Sequence, residues 1–225
     1  KLRTLDEKPT LDTMLTQLPS YPNSLAHLSD AQAAELRAIY FSAVGEFIDL
    51  EGDARIIDKM PLNIIPAVSM QRFFPAAKLI LVMRHPCDSC LSCFMQNFVV
   101  NSSMANFFSL EDTAALYVKV MRLWQKSARL LALNYHIVRY EDLIADFESE
   151  TRKMLNFLEL EWDPAVADYA AKARQRGKID TPSYHQVTQD IYQSAKFRWK
   201  RYRDQFESVK PALEPFVEEF GYSWD

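Results

Sequence analysis

Glycine is scarce in this chain. Only Gly45, Gly52, Gly177 and Gly221 occur among 225 residues. None stands in a Gly-rich loop between a strand and a helix, so these residues hold no phosphate cradle of the P-loop class. A small kinase of that class is disfavoured on the same ground. No run of about 18 apolar residues exists, so no segment reads as a membrane span. No signal-peptide pattern is visible. Cysteine is confined to Cys87, Cys90 and Cys93. That spacing invites an iron–sulfur reading, but a fourth cysteine is absent and Cys87 and Cys90 fit an apolar helical stripe as small hydrophobes. An odd, clustered set also gives no disulfide framework, which points to a reducing, cytoplasmic compartment. No His, Cys or carboxylate cluster has metal-ligand spacing, so no metal is expected. Positive charge is not in excess: the net charge is -4, which argues against general nucleic-acid binding.

What is present is ordinary globular material, 48% hydrophobic and 25% charged, enough for one domain over residues 1–225 with a real core. Residues 54–58, 79–83 and 135–139 read as strands. Helical patterns fall near 31–50, 62–74, 110–133, 147–160, 164–175 and 211–220, with a short helix inside the polar stretch 1–24. Strands alternating with helices predict an α/β fold, a three-layer parallel sheet flanked by helices. Three strands are few for such a sheet, so its N-terminal strand is expected to lie outside this chain.

The central stretch is Leu79 to Phe94. Leu79, Ile80, Leu81, Val82 and Met83 form an unbroken apolar run, the pattern of a strand buried on both faces. It ends at Arg84-His85-Pro86, and Pro86 suits the first turn of a helix. Cys87, Cys90, Leu91, Phe94 and Phe98 then fall on one stripe, and Asp88, Ser92 and Gln96 on another. Arg84 thus sits at the carboxyl end of a strand beside a helix N-terminus, where ligands of open α/β sheets and anions bind. On this stretch alone it reads equally as an Arg capping a sheet edge. Lys59 directly follows the strand at 54–58. It is either a mobile cation above the sheet or a solvated turn residue. Tyr140 ends the third strand. Lys196, Arg198, Lys200, Arg201 and Arg203 crowd one segment together with Trp199 and Tyr202, which could serve a nucleic-acid face but for the net charge.

Four segments in order resemble the sulfotransferase family, most nearly its tetratricopeptide-repeat and protein-tyrosine types. Arg84 and Ser92 have the spacing of the pair that holds the 3′-phosphate of the sulfate donor, 3′-phosphoadenosine 5′-phosphosulfate (PAPS). Arg55 to Asn63 resembles the strand-plus-Lys segment, in which the Lys, here Lys59, stabilises the bridging oxygen as sulfuryl leaves. Val138-Arg139-Tyr140-Glu141-Asp142-Leu143 resembles the V-x-Y-E-x-L segment, whose Tyr, here Tyr140, contacts the adenosine. Thr181 to Arg203 resembles the C-terminal donor segment. There Ser183 matches a residue at the transferring group and Arg198 a cation on the donor phosphates.

The resemblance implies a P-loop nucleotide-binding-like fold and an enzyme that moves a sulfuryl group from PAPS to an acceptor hydroxyl, with Lys59 and Ser183 catalytic. Arg84, Ser92, Tyr140, Ser183 and Arg198 would bind the donor, and no metal takes part. Two departures stand out. Gln96 replaces a second Arg of the protein-tyrosine type, and the 5′-phosphosulfate loop (Pro-x-Ser-Gly-Thr-Thr in type) is missing and expected before Lys1. Asp6 and Glu7 are the nearby carboxylates, and neither is assigned a role. The 225-residue chain alone is therefore expected to be inactive, and to form a homodimer or associate with its upstream segment. The competing reading is a non-catalytic, sulfotransferase-like module that binds a nucleotide or a partner.

Overall fold

In the computed structural model of the chain, residues 2–50, 52, 54–167 and 195–225 are described. The chain divides into two compact units, Lys1–Ala77 with Arg122–Asn134, and Lys78–Met121 with Tyr135–Asp225.

The first unit begins with a strand that the residue pattern does not announce, β1 (Leu2–Asp6). It has two leucines among polar residues and no alternation. What makes it a strand is pairing: β1 runs parallel to β2 (Arg55–Lys59), with Leu2 opposite Arg55 and Asp6 opposite Lys59. The reading of three strands is thereby corrected to four among the described residues. A parallel pair needs a crossover, and α1 (Thr10–Leu15) and α2 (Asp30–Gly45) lie along it. The start of α2 is a capping box: the Ser29 hydroxyl accepts from the Gln32 N–H at 3.2 Å, and the Gln32 side chain accepts from the Ser29 N–H at 3.0 Å. Such a box satisfies two orphan donors. Helix α3 (Ala67–Phe73) follows a 3-10 turn opened by Pro61. Leu5, Leu11, Met14, Leu36, Tyr40, Val44 and Phe73 form the core of this unit.

The second unit is built on β3 (Leu79–Met83) and β4 (Tyr135–Arg139), again parallel, with Leu79 opposite Tyr135 and Met83 opposite Arg139. Between them run α4 (Pro86–Phe94) and α5 (Leu110–Leu131), the latter divided between the units after Met121. Helices α6 (Tyr140–Ala145) and α7 (Phe147–Phe157) follow β4, and α8 (Arg203–Phe206) and α9 (Lys210–Glu219) lie in the C-terminal segment. Cys87, Cys90, Leu91, Trp199, Phe206, Leu213, Val217 and Trp224 pack into one core. Cys87 and Cys90 are thus the small core hydrophobes that their stripe predicts.

The α/β class holds. Among the described residues the strands form two-stranded parallel sheets, β1 with β2 and β3 with β4. Burial of β3 on both faces is also corrected: Val82 is 69% exposed. A two-stranded sheet cannot shield each strand on every side, so an apolar run does not guarantee burial. The helix after β3 stops at Phe94, so the apolar stripe ends at Leu91, and Phe94 is exposed. Among the described residues no helix is long and apolar enough to cross a membrane.

Candidate functional site

In the first unit, the charged groups gather at the carboxyl ends of β1 and β2. Lys59 is the last residue of β2, and its ammonium meets the Glu7 carboxylate at 2.7 Å. The Glu7 N–H donates to the Lys59 carbonyl at 2.9 Å, and Glu7 takes a positive φ of 54°. A non-glycine residue pays for that conformation in strain, and such strain concentrates at functional sites. Beside it, Asp58 gathers three donors. Thr10 and Tyr40 hydroxyls reach its Oδ2, both at 3.0 Å, and Asn63 Nδ2 reaches Oδ1 at 3.1 Å. Burial and the Asp58 carboxylate push the Tyr40 phenol well up, so it stays a donor. An exposed pair such as Lys59 with Glu7 contributes only about 0–1 kcal/mol.

In the second unit, the charged groups gather after β3. Arg84 is half-buried. Its guanidinium donates to the Ala195 carbonyl, lies 3.7 Å from Asp88 Oδ2, and sits over the Tyr140 ring at 5.2 Å. His85 is the N-cap of α4: its Nδ1 accepts from the Cys87 N–H at 3.2 Å. Its Nε2–H therefore donates to the Ser223 carbonyl at 3.1 Å. The ring is neutral in that role, and burial holds it below the ordinary imidazole value. Glu141, buried at the start of α6, accepts from the His85 N–H at 3.0 Å and from the Tyr222 hydroxyl at 2.7 Å. Trp199 stacks on His85 with ring centres 4.9 Å apart, and its backbone N–H donates to Asp88 Oδ1 at 2.8 Å. Residues 195–225 are thus fastened to the ends of β3 and β4 by buried polar groups.

The residues singled out from sequence fare differently. Arg84 and Tyr140 are in contact. Arg198 is exposed at the start of a 3-10 turn, one position before the buried Trp199. Ser92 is exposed on α4, eight positions after Arg84. Lys59 belongs to the other unit, where Glu7 is its partner. Ser183 lies outside the described residues. Sequence reading assigned no role to Glu7, Asp88, His85 or Glu141. Glu7 was marked only as a nearby carboxylate and Glu141 only as part of the V-x-Y-E-x-L segment, while Asp88, four residues after Arg84, was assigned to a polar stripe rather than to the interior.

Residues 2–164 match the model of the family described as "Sulfotransferase family". The chain is also 29% identical over 170 residues, 74% of its own length, to a protein of Aquifex aeolicus (strain VF5) named "Uncharacterized protein". It spans about a fifth of that relative, 21% of its length.

Proposed function

The chain belongs to the sulfotransferase family, and from that premise we propose that it serves the transfer of a sulfuryl group from PAPS to an acceptor hydroxyl. One observation carries the reading: each parallel strand pair has a cation at its carboxyl end, Lys59 closing β2 and Arg84 following β3. In this reading Arg84 binds the 3′-phosphate beside the N-terminus of α4, where backbone N–H groups favour anions. Ser92 and Arg198 support it, and Tyr140 meets the adenosine. Ser183 contributes at the transferring group.

The bond between sulfur and the bridging oxygen of the 5′-phosphate breaks, and a bond from sulfur to the acceptor oxygen forms. Lys59 neutralises charge growing on the bridging oxygen, and Glu7 takes the acceptor proton. Catalysis of this kind is mostly positioning and cationic stabilisation. The donor-site sheet is proposed to be of the three-layer, P-loop-like kind. Three free cysteines support a cytoplasmic setting. Since none of the four glycines stands in a Gly-rich stretch of the sequence, the 225 residues by themselves are proposed to hold the 5′ end of the donor weakly.

The test is transfer from labelled PAPS to mixed peptide, glycan and small-molecule hydroxyls by the full-length protein. Labelled product supports the proposal. Donor binding with no product under any acceptor favours the non-catalytic binding module instead.

A further inference from the structure

Asp88 is a buried carboxylate with an unusual set of neighbours. Its side chain is 0% exposed. It stands at the third position of α4, where an acidic residue ordinarily reaches back to the N–H of the N-cap residue. Here that N–H, of His85, donates instead to Glu141 Oε1 at 3.0 Å. Capping from the side chain comes from His85 itself, whose Nδ1 takes the Cys87 N–H. Asp88 is therefore released from the common duty of its position.

Its two oxygens point to two other groups. Oδ1 accepts from the Trp199 N–H at 2.8 Å, which fixes the peptide unit joining Arg198 to Trp199. Oδ2 has no hydrogen-bond partner and lies 3.7 Å from Arg84 Nη2. The Nε of Arg84 is likewise buried without a hydrogen bond. A buried charge with an unsatisfied oxygen is costly, and a well-packed neutral replacement is often no less stable. Burial indeed pushes the Asp88 carboxyl above the ordinary carboxylate value. The charge that this carboxylate faces is the Arg84 guanidinium.

We infer that Asp88 is a positioning residue for donor binding, its two oxygens setting the Arg84 guanidinium and the backbone that carries Arg198. The inference rests on the proposed role of Arg84 as the 3′-phosphate anchor. Asp88 touches no donor atom in this scheme. It orients one cation and the strand of chain that bears the other.

The experiment compares 3′-phosphoadenosine 5′-phosphate with adenosine 5′-phosphate, which lacks the 3′-phosphate, by titration of the full-length protein. D88N keeps the size of the side chain and an acceptor for the Trp199 N–H but removes the charge facing Arg84. The expected result is a loss of fivefold or more for the bisphosphate with no change for the monophosphate. In an R84A background D88N has no further effect on either nucleotide, because residues that act through one another are not additive. Should D88N not fold, D88E keeps the charge one methylene farther out, and the same selective loss is expected. Equal losses for the two nucleotides, no loss, or an undiminished effect in the R84A background overturns the inference. Failure of the underlying reading looks different: the unaltered protein would then fail to distinguish the two nucleotides at all.

Discussion

Glu7 and Lys59 meet at 2.7 Å from positions 52 residues apart. The register of β1 on β2 makes this possible, because Asp6 lies opposite Lys59 and the next residue turns back over the strand end. A carboxylate and a cation are thereby joined at the end of a parallel pair.

If Lys59 neutralises the leaving phosphate, Lys59→Ala lowers kcat by more than it raises the donor KM, the mark of an interaction made chiefly in the transition state. Glu7→Gln keeps the shape and removes the proton acceptor. Its kcat falls by about 10²–10⁴, the usual contribution of a positioned base. Steady-state kinetics with PAPS as the varied substrate check both. A change confined to KM in K59A, or full activity in E7Q, contradicts the assignment.

Arg84→Ala weakens binding of 3′-phosphoadenosine 5′-phosphate about tenfold or more, since a charge-assisted bond is worth about 1.5–3 kcal/mol. The monophosphate is barely affected. Ser92→Ala, which removes one neutral donor, costs less: about 0.5–1.5 kcal/mol at most. Isothermal titration ranks the two variants, and a larger effect from Ser92 than from Arg84 would reverse the assignment.

His85 makes the fold sensitive to acid. Burial, the largest cause, holds its folded value below the ordinary one, with Lys200 and Arg84 acting in the same direction; the Ser223 carbonyl and Glu141 oppose it. The unfolded chain titrates this group near 6.5. Between the two values the unfolded state binds more protons, so stability rises with pH across that window. The contribution is fully present above about pH 6.5 and is lost as pH falls through the folded value. Asp88 acts oppositely, because burial raises its value and its protonation favours the fold. His85→Asn retains a short acceptor for the Cys87 N–H without titrating. Thermal melts between pH 5 and 8, the range in which His changes charge, are expected to show a shallower slope for H85N. Parallel curves for the two proteins would contradict it.

Trp199→Ala removes the centre of the second unit's core. Trp199 is 0% exposed and contacts His85, Phe206 and Trp224 by its rings. Truncations of this kind cost about 3–5 kcal/mol. The shift in the denaturant midpoint measures it, and a loss below 1 kcal/mol, the ceiling for a typical exposed pair, would place Trp199 outside the core.

The elements that stood out in the sequence are those whose burial is written locally. The apolar runs of β3 and β4 and the amphipathic length of α5 end close to where their patterns end. Strand β1 was illegible because Leu2 and Leu5 are its only apolar residues, and its strand character comes from pairing with residues 55–59. The pairing of the strands was hidden for a related reason: an apolar strand does not say how many neighbours it has. At the site, Arg84 and Lys59 were legible as cations after strands. Their counter-charges were not. Glu7 reaches Lys59 through β1, and the role of Asp88 depends on Trp199, 111 positions away. Long-range pairing of that kind leaves no local period in the sequence.

That distance also sets a timetable for biosynthesis. Arg84 and Asp88 leave the ribosome well before Ala195 and Trp199, their partners 111 positions later. At about 5–20 residues per second the wait is on the order of 5–20 s. Through that interval Cys87, Cys90 and Leu91 lack the Trp199, Phe206, Leu213 and Trp224 that complete their core. A nascent chain stalled before residue 195 thus presents an open apolar surface beside an uncovered carboxylate, the form on which chaperones and proteases act.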